Sequence, residues 1–277
     1  MIKQTENRMK AYIKTATLYL IILICHIISL KADDGLIFKP LTANPYEGRI
    51  GAIGDFKDKR LRLDIGASFD IIKFDLGKNN AGIGADFFTY TRLRSEGNMK
   101  FPVETSDYYF GFNYSMNMNL ISDKSALRVR LAHISSHLVD GYADQNIFKK
   151  SPFVYSREFL DVTIADYYKD LRYYLGVNYV FSTKPKDPNP LIPQIGFDYN
   201  LKISPWLALT CGYDFKLVGI DGVYQAQNSL QAGITIYTRS HYGLFAGCYY
   251  YSGRSIHGEF YRDRDQYFGL GFQVVYW

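Results

Sequence analysis

Between Leu127 and Asp140 the chain reads LRVRLAHISSHLVD, and in it two histidines and a serine take places that a hydrophobic row would otherwise hold. Leu127, Val129 and Leu131 alternate with Arg128 and Arg130. His133, Ser135 and His137 then continue the apolar side, while Ala132, Ile134 and Ser136 continue the other. Side chains two residues apart on a strand share a face, so His133 and Ser135 come within reach of each other. An imidazole beside a hydroxyl is the pairing in which a base takes a proton from an oxygen nucleophile. Glu158 breaks its own row in the same way, standing with Leu160, Val162 and Ile164 against Arg157, Phe159 and Asp161. A hairpin pairing residues whose numbers sum to about 291 sets His133 across from Glu158, where a carboxylate orients the imidazole and stabilises its charged form. A register two residues off leaves Glu158 diagonal and still near reach. The expected catalytic group is therefore Ser135 as nucleophile, His133 as base and Glu158 as orienter.

The elements that must position this group are strands. From about Ile50 onward the chain changes side every second residue, the period of a strand and not of a helix. Leu61, Leu63, Ile65, Ala67, Phe69 and Ile71, for example, interleave with Arg62, Asp64, Gly66, Ser68 and Asp70. About 12 such segments lie near 48–56, 61–72, 81–93, 106–118, 126–138, 153–165, 171–182, 192–203, 206–218, 224–237, 241–252 and 265–277. Most run roughly 10 to 13 residues, close to the length that crosses a bilayer at a tilt. Short turns near 122–125, 167–170, 204–205 and 239–240 alternate with longer connections at 94–105, 139–152, 183–191 and 253–264. The fold class expected is all-β, a closed antiparallel transmembrane β-barrel. An even strand count returns both termini to the periplasmic side and puts the long loops outside the cell. Hydrocarbon offers no partner for a free N–H or C=O, so every edge must be paired. The alternative fold is a secreted β-sandwich whose second face is merely polar.

The apolar row would then meet lipid, and the other row would fill the lumen. Arg62, Asp64, Asp86, Arg128, Arg130, Arg157, Asp161, Asp198, Lys202, Asp214 and Lys216 carry both signs there, which predicts cross-pairing and a crowded interior in place of a wide pore. Tyr142, Tyr155 and Tyr167 are expected in the interfacial aromatic belt. At the C-terminus Phe268, Leu270, Phe272, Val274 and Tyr276 form an apolar row. Trp277 ends the chain one step out of that phase, unlike the terminal aromatic of an outer-membrane assembly signal.

Length, composition and charge restrict the partners. The chain has 277 residues, of which 17% are aromatic and 21% charged, which argues against disorder. Mean hydropathy is −0.16, far too low for a bundle of membrane-spanning helices. Lys3, Arg8, Lys10 and Lys14 precede an apolar run from Ala16 to Leu30, and Ala32 is followed by Asp33 and Asp34. This reads as a signal peptide over 1–32, followed by a lead-in over 33–47 that enters the periplasm or plugs the barrel mouth, and a barrel over 48–277. An uncleaved anchor helix is the alternative for the first segment. Residues 1–32 hold five basic residues and one acidic, so their loss takes +4 from a net charge of +5 and leaves +1. No nucleic-acid partner is expected on that balance. Cys25 leaves with the leader, and Cys211 and Cys248 are too few for a disulfide framework or a thiolate metal site. The expected partners are membrane lipid and, during insertion, the outer-membrane assembly machinery. A homodimer is compatible with the sequence and not specified by it.

His133-Ile134-Ser135 resembles the His-x-Ser pair of two outer-membrane acyl hydrolase families, phospholipase A and the lipid A 3-O-deacylase. Both place an Asn after the serine, where this chain has Ser136. The resemblance implies a barrel with the pair on its outward wall near the outer leaflet. It also implies ester hydrolysis of phospholipid or lipid A, and a third member that is Glu in the deacylase, the role Glu158 would fill. By analogy with the phospholipase it brings in calcium, for which the sequence names no ligands. The stretch from Leu131 to Asp140, together with Tyr155-Ser156-Arg157-Glu158, also resembles a bacterial envelope family of unknown function. Two readings of the residues stay open. One is the catalytic group. The other is a non-catalytic barrel, whether narrow channel, receptor or structural protein, in which His133, Ser135 and His137 mark where the oily band meets the headgroups. Joint metal binding by His133, His137 and Asp140 is opposed by their i, i+4 spacing on a strand.

Overall fold

Alternation of period two builds one continuous sheet that closes on itself. A computed structural model describes residues 35–145, 147–238 and 242–276. The expected signal peptide, the turn at 239–240 and Trp277 lie outside the described residues. The strands are β1 (Ile50–Asp55), β2 (Arg60–Leu76), β3 (Asn79–Arg94), β4 (Val103–Met118), β5 (Ser125–Leu138), β6 (Ala143–Asp144) and β7 (Ile147–Phe148). They continue with β8 (Tyr155–Tyr168), β9 (Leu171–Lys184), β10 (Leu191–Ser204), β11 (Leu207–Ile220), β12 (Val223–Tyr237), β13 (Tyr242–Arg254) and β14 (Arg264–Tyr276). Among the described residues twelve of these form a closed antiparallel barrel in which each strand pairs its sequence neighbour and β1 pairs β14. β6 and β7 form a separate small hairpin within the loop between β5 and β8. The barrel strands match the expected segments to within a few residues, β2, β3 and β4 running longer, to 17, 16 and 16 residues.

The outer wall is apolar, with Phe69, Ile83, Phe112, Leu131, Leu175, Ile195, Leu209, Leu244, Leu270 and Phe272 all exposed on it. Charge faces inward, and Arg62, Asp64, Asp86, Arg128, Arg130, Arg157, Asp161, Asp198, Asp214 and Lys216 are buried in the lumen. Among the described residues, all of these but Asp86 and Arg157 pair with an opposite charge. Arg62 Nε meets Asp64 at 2.7 Å, Arg130 meets Asp161 at 3.2 Å, Arg172 pairs with Asp198, and Lys216 pairs with Asp214. Lys202 also faces inward but lines an open cavity at the short-turn end.

Two chain segments fill the barrel from opposite ends. From the short-turn end, residues 35–49 run inside the wall. Ile37 N–H bonds Asp70 at 2.8 Å, Thr42 N–H bonds Asp198 at 3.1 Å, and Arg172 donates to the Lys39 and Pro40 carbonyls. Glu47 ends this segment between Arg128 (2.6 Å) and Arg130 (3.5 Å). Burial drives the Glu47 carboxyl upward, but the two guanidinium charges outweigh it and bring the group down to about 2. From the long-loop end, the loop over 255–263 turns down into the mouth. His257 Nδ1 lies 2.7 Å from Asp107, the Gly258 N–H bonds Asp107 at 2.7 Å, and the Glu259 N–H bonds Ser136 at 3.0 Å. Gly258 sits so close to the Tyr155 ring that a Cβ there would come within 2.2 Å of it, so only glycine lets the loop reach this depth.

Between the two plugs the lumen is aromatic. Phe88, Tyr90, Tyr109, Ile134, Tyr155, Phe159 and Tyr251 form one buried cluster, with Phe88 stacked on Tyr109 at 4.4 Å. The interfacial tyrosines are therefore a correction. Tyr155 belongs to this inner cluster, Tyr167 lines the lumen cavity at the short-turn end, and Tyr142 packs edge-on against Phe260 of the plugging loop at 5.1 Å. Tyr276 also departs from the expected apolar row. Its hydroxyl donates to the Gly48 carbonyl at 3.0 Å and accepts from the Ser68 N–H at 2.9 Å, so it closes the seam where β1 is too short to cover the lower half of β2.

Candidate active site on the outer wall

β5 carries the group because its inward residues are fixed from several sides. Ala132, Ile134 and Ser136 are buried, and Ser136 is held by Thr105 (3.5 Å) as well as by Glu259. With those three facing in, His133, Ser135 and His137 must face out. The next strand of the sheet is β8, in a register that sets Ala132 opposite Phe159, His133 opposite Glu158 and Ser135 opposite Ser156. The pair sum of 291 is thus the observed register.

His133 and Glu158 meet across this pairing, with Nδ1 to Oε1 at 2.9 Å. Side-chain exposures of 40% and 30% put the pair on the wall and not within it. The Ser156 hydroxyl donates to the same Glu158 oxygen at 2.7 Å, and Ser182 of β9 stands opposite Glu158 in the ladder. On the β4 side the His133 ring lies beside Phe110, with centroids 6.5 Å apart and planes tilted by 36°. Held by a carboxylate on one side and a ring on the other, the imidazole commits Nδ1 to Glu158 and leaves Nε2 for a second partner. Ser135 shares its face, one pleat further toward the long loops. Among the described residues no hydrogen bond joins Ser135 to His133, a separation common at nucleophile and base pairs without substrate. His137, one pleat beyond, is exposed and packs edge-on against Tyr108 at 5.9 Å. It does not join the His133 and Glu158 pair.

The surroundings change here from apolar wall to loop. Leu131 and Leu160 pair directly below the site and are both exposed, while the loop over 139–154 begins just above it. Among the described residues no group of three or more His, Cys, Asp or Glu side chains is gathered to hold a metal ion. The groups that the wall itself presents for chemistry are Ser135, His133 and Glu158.

Sequence reasoning did not find a second His and carboxylate pair, the buried His257 with Asp107, on the inner side of the same wall. Those residues are 150 positions apart, and no periodicity links a loop to the strand it will touch.

A closed barrel of twelve antiparallel strands, apolar outside and filled within, defines the class as a transmembrane β-barrel. The chain belongs to the family described as protein of unknown function (DUF1207), whose model matches residues 21–276. Its fold is similar to outer membrane phospholipase A from Escherichia coli, at 13% identity and a TM-score of 0.55, covering 91% of this chain and 96% of that one. It is likewise similar to the Salmonella typhi outer membrane phospholipase dimer with bound calcium, at 13% identity, a TM-score of 0.54 and the same coverage. No curated protein matches the sequence.

Proposed function

We propose that this protein is a serine acyl hydrolase of the bacterial outer membrane, acting on the ester bonds of phospholipid or lipid A in the outer leaflet. The observation that carries the reading is the 2.9 Å contact of His133 Nδ1 with Glu158 on the lipid-facing wall. Exposed polar groups beside hydrocarbon cost stability, and a site for lipid chemistry accounts for their being there.

In this reading Ser135 Oγ attacks the ester carbonyl carbon and its proton passes to His133 Nε2. Glu158 holds Nδ1–H and offsets the imidazolium charge. The tetrahedral intermediate collapses with the alcohol oxygen leaving, and that oxygen takes the proton from His133. Water, deprotonated by the same nitrogen, then releases the fatty acid from Ser135. Leu131, Leu160 and Phe112 below the site provide an apolar wall along which an acyl chain can lie while its ester sits at Ser135.

The filled lumen favours this reading over a channel, because residues 35–49 and the loop over 255–263 occupy the two ends. The test is fatty acid release from phospholipid or lipopolysaccharide by the purified barrel in detergent. Wild type should release fatty acid and Ser135→Ala should not; equal release by the two sinks the hydrolase reading and leaves the non-catalytic barrel.

A further inference from the structure

We propose that the short-turn mouth of the barrel is a binding site for a phosphate-bearing ligand, held by Lys39, Lys169 and Lys202. A cavity of about 390 Å³ opens there, within the size range of small-molecule sites. It is built, not left over. Arg172 pairs with Asp198 and donates to the Lys39 and Pro40 carbonyls, and Asp198 also accepts from the Thr42 N–H at 3.1 Å. This clamp fixes the incoming chain so that the Lys39 side chain lines the same cavity as Lys202, four residues beyond Asp198 on the inner face of β10.

The charges around the cavity do not balance. Glu47 is taken by Arg128 and Arg130, and Asp198 by Arg172. Among the described residues no carboxylate lies within ion-pairing distance of Lys39, Lys169 or Lys202, and Asp170 is the one lining carboxylate outside an ion pair. Among the described residues, three lysines against one carboxylate leave an excess of two positive charges lining one space. Lys39 shows the cost, its pKa lowered by burial and then by the charges of Arg172 and Lys202. An anion in the cavity removes that repulsion. Across from the lysines, Phe245 and Tyr276 supply a less polar wall for the organic part of a phosphate ester. A phospholipid headgroup from the inner leaflet and a soluble phosphate ester share this chemistry.

The experiment is calorimetric titration of the purified barrel in uncharged detergent with glycerol 3-phosphate, with glycerol as the neutral control. Wild type should bind the phosphate ester saturably and glycerol not at all. Lys39→Ala/Lys202→Ala should weaken binding by at least about tenfold, as expected for two charge-assisted contacts, while Lys39→Arg/Lys202→Arg should retain it. Both lysines lie at the open mouth, and heat-modifiable gel mobility checks that each variant has the closed barrel. No saturable heat from wild type, or equal affinity in the alanine variant, overturns the proposal. Repeating the titration in nanodiscs separates the sources. Loss of binding in phosphatidylglycerol but not in phosphatidylcholine identifies a lipid headgroup, and equal binding in both identifies a soluble ester.

Discussion

Replacing Glu158 with Gln tests the orienting role while keeping the shape of the side chain. In the native pair, Nδ1–H meets an ionised oxygen at 2.9 Å. A hydrogen bond to a charged group contributes about 1.5–3 kcal/mol and a neutral one about 0.5–1.5. The exchange therefore forfeits about 1–2 kcal/mol of support for the imidazolium that forms when Ser135 gives up its proton. At about 1.4 kcal/mol per decade, kcat should fall roughly 5- to 30-fold. The loss is larger if the amide N–H₂ faces Nδ1, because the proton then moves to Nε2 and the base is lost. KM should stay within about twofold, since Glu158 touches the base and not the substrate. The assay is initial-rate fatty acid release from short-chain phosphatidylcholine micelles, with gel mobility confirming the closed barrel. Unchanged kcat in Glu158→Gln, with Ser135→Ala inactive, would refute the orienting role and confine catalysis to Ser135 and His133.

Three further outcomes follow from the packing. Glu47→Gln strips Arg128 of its carboxylate while Arg130 keeps Asp161, and breaking one buried pair should cost about 3–5 kcal/mol in urea unfolding from detergent. Because the folded carboxyl is depressed to about 2, this contribution is complete above an unfolded value of about 4.3 and disappears as pH falls through about 2; a gap between wild type and variant that stays constant from pH 6 to pH 2 would contradict the pairing. Leu131→Arg puts a charge near mid-strand on the outer wall and should destabilise the barrel by about 2–4 kcal/mol, whereas a neutral effect would mean that this face does not meet lipid. In planar bilayers the wild-type protein should show no steady conductance steps, and regular steps would show that the plugs do not fill the lumen.

How much of this was legible in sequence depends on the range of the interaction. Strand facing is local, and alternation alone put Arg128 and Arg130 inside and Leu131 and His133 outside. Hairpin register is nearly local, because matching apolar rows on β5 and β8 leaves few pairings, and the one that sets Leu131 against Leu160 also sets His133 against Glu158. The rest depends on distant contacts. Nothing near Glu47 in sequence signals that its partner Arg128 lies 81 residues away, and nothing near His257 points to Asp107. The tyrosines misled for another reason, because residue type was weighed above parity. Tyr155 is in phase with Arg157, Phe159 and Asp161, so alternation already sets it on the inner face, where the Gly258 loop packs against its ring.

The plugging of the lumen and the placement of the site are one arrangement. A twelve-stranded cylinder is too wide for its own inward side chains to fill, so residues 35–49 and the loop over 255–263 complete the interior. The loop does so by bonding Ser136 and Asp107, which are themselves cross-strand partners on β5 and β4. Ser136 and Ser135 are consecutive, so whatever fixes the first on the inner face fixes the second on the outer face. Loosening the loop should therefore reach the outer wall without touching it: Asp107→Asn weakens the bonds to His257 and the Gly258 N–H, frees β5 at Ser136, and lets Ser135 drift from His133. In the hydrolase reading this variant keeps its substrate-facing residues intact yet loses kcat, and a Gly258→Ala variant, which pushes the same loop off Tyr155, should lose kcat in parallel. If both variants loosen the loop, as measured by proteolysis within 255–263, while fatty acid release is unchanged, the inner plug and the outer site are mechanically independent.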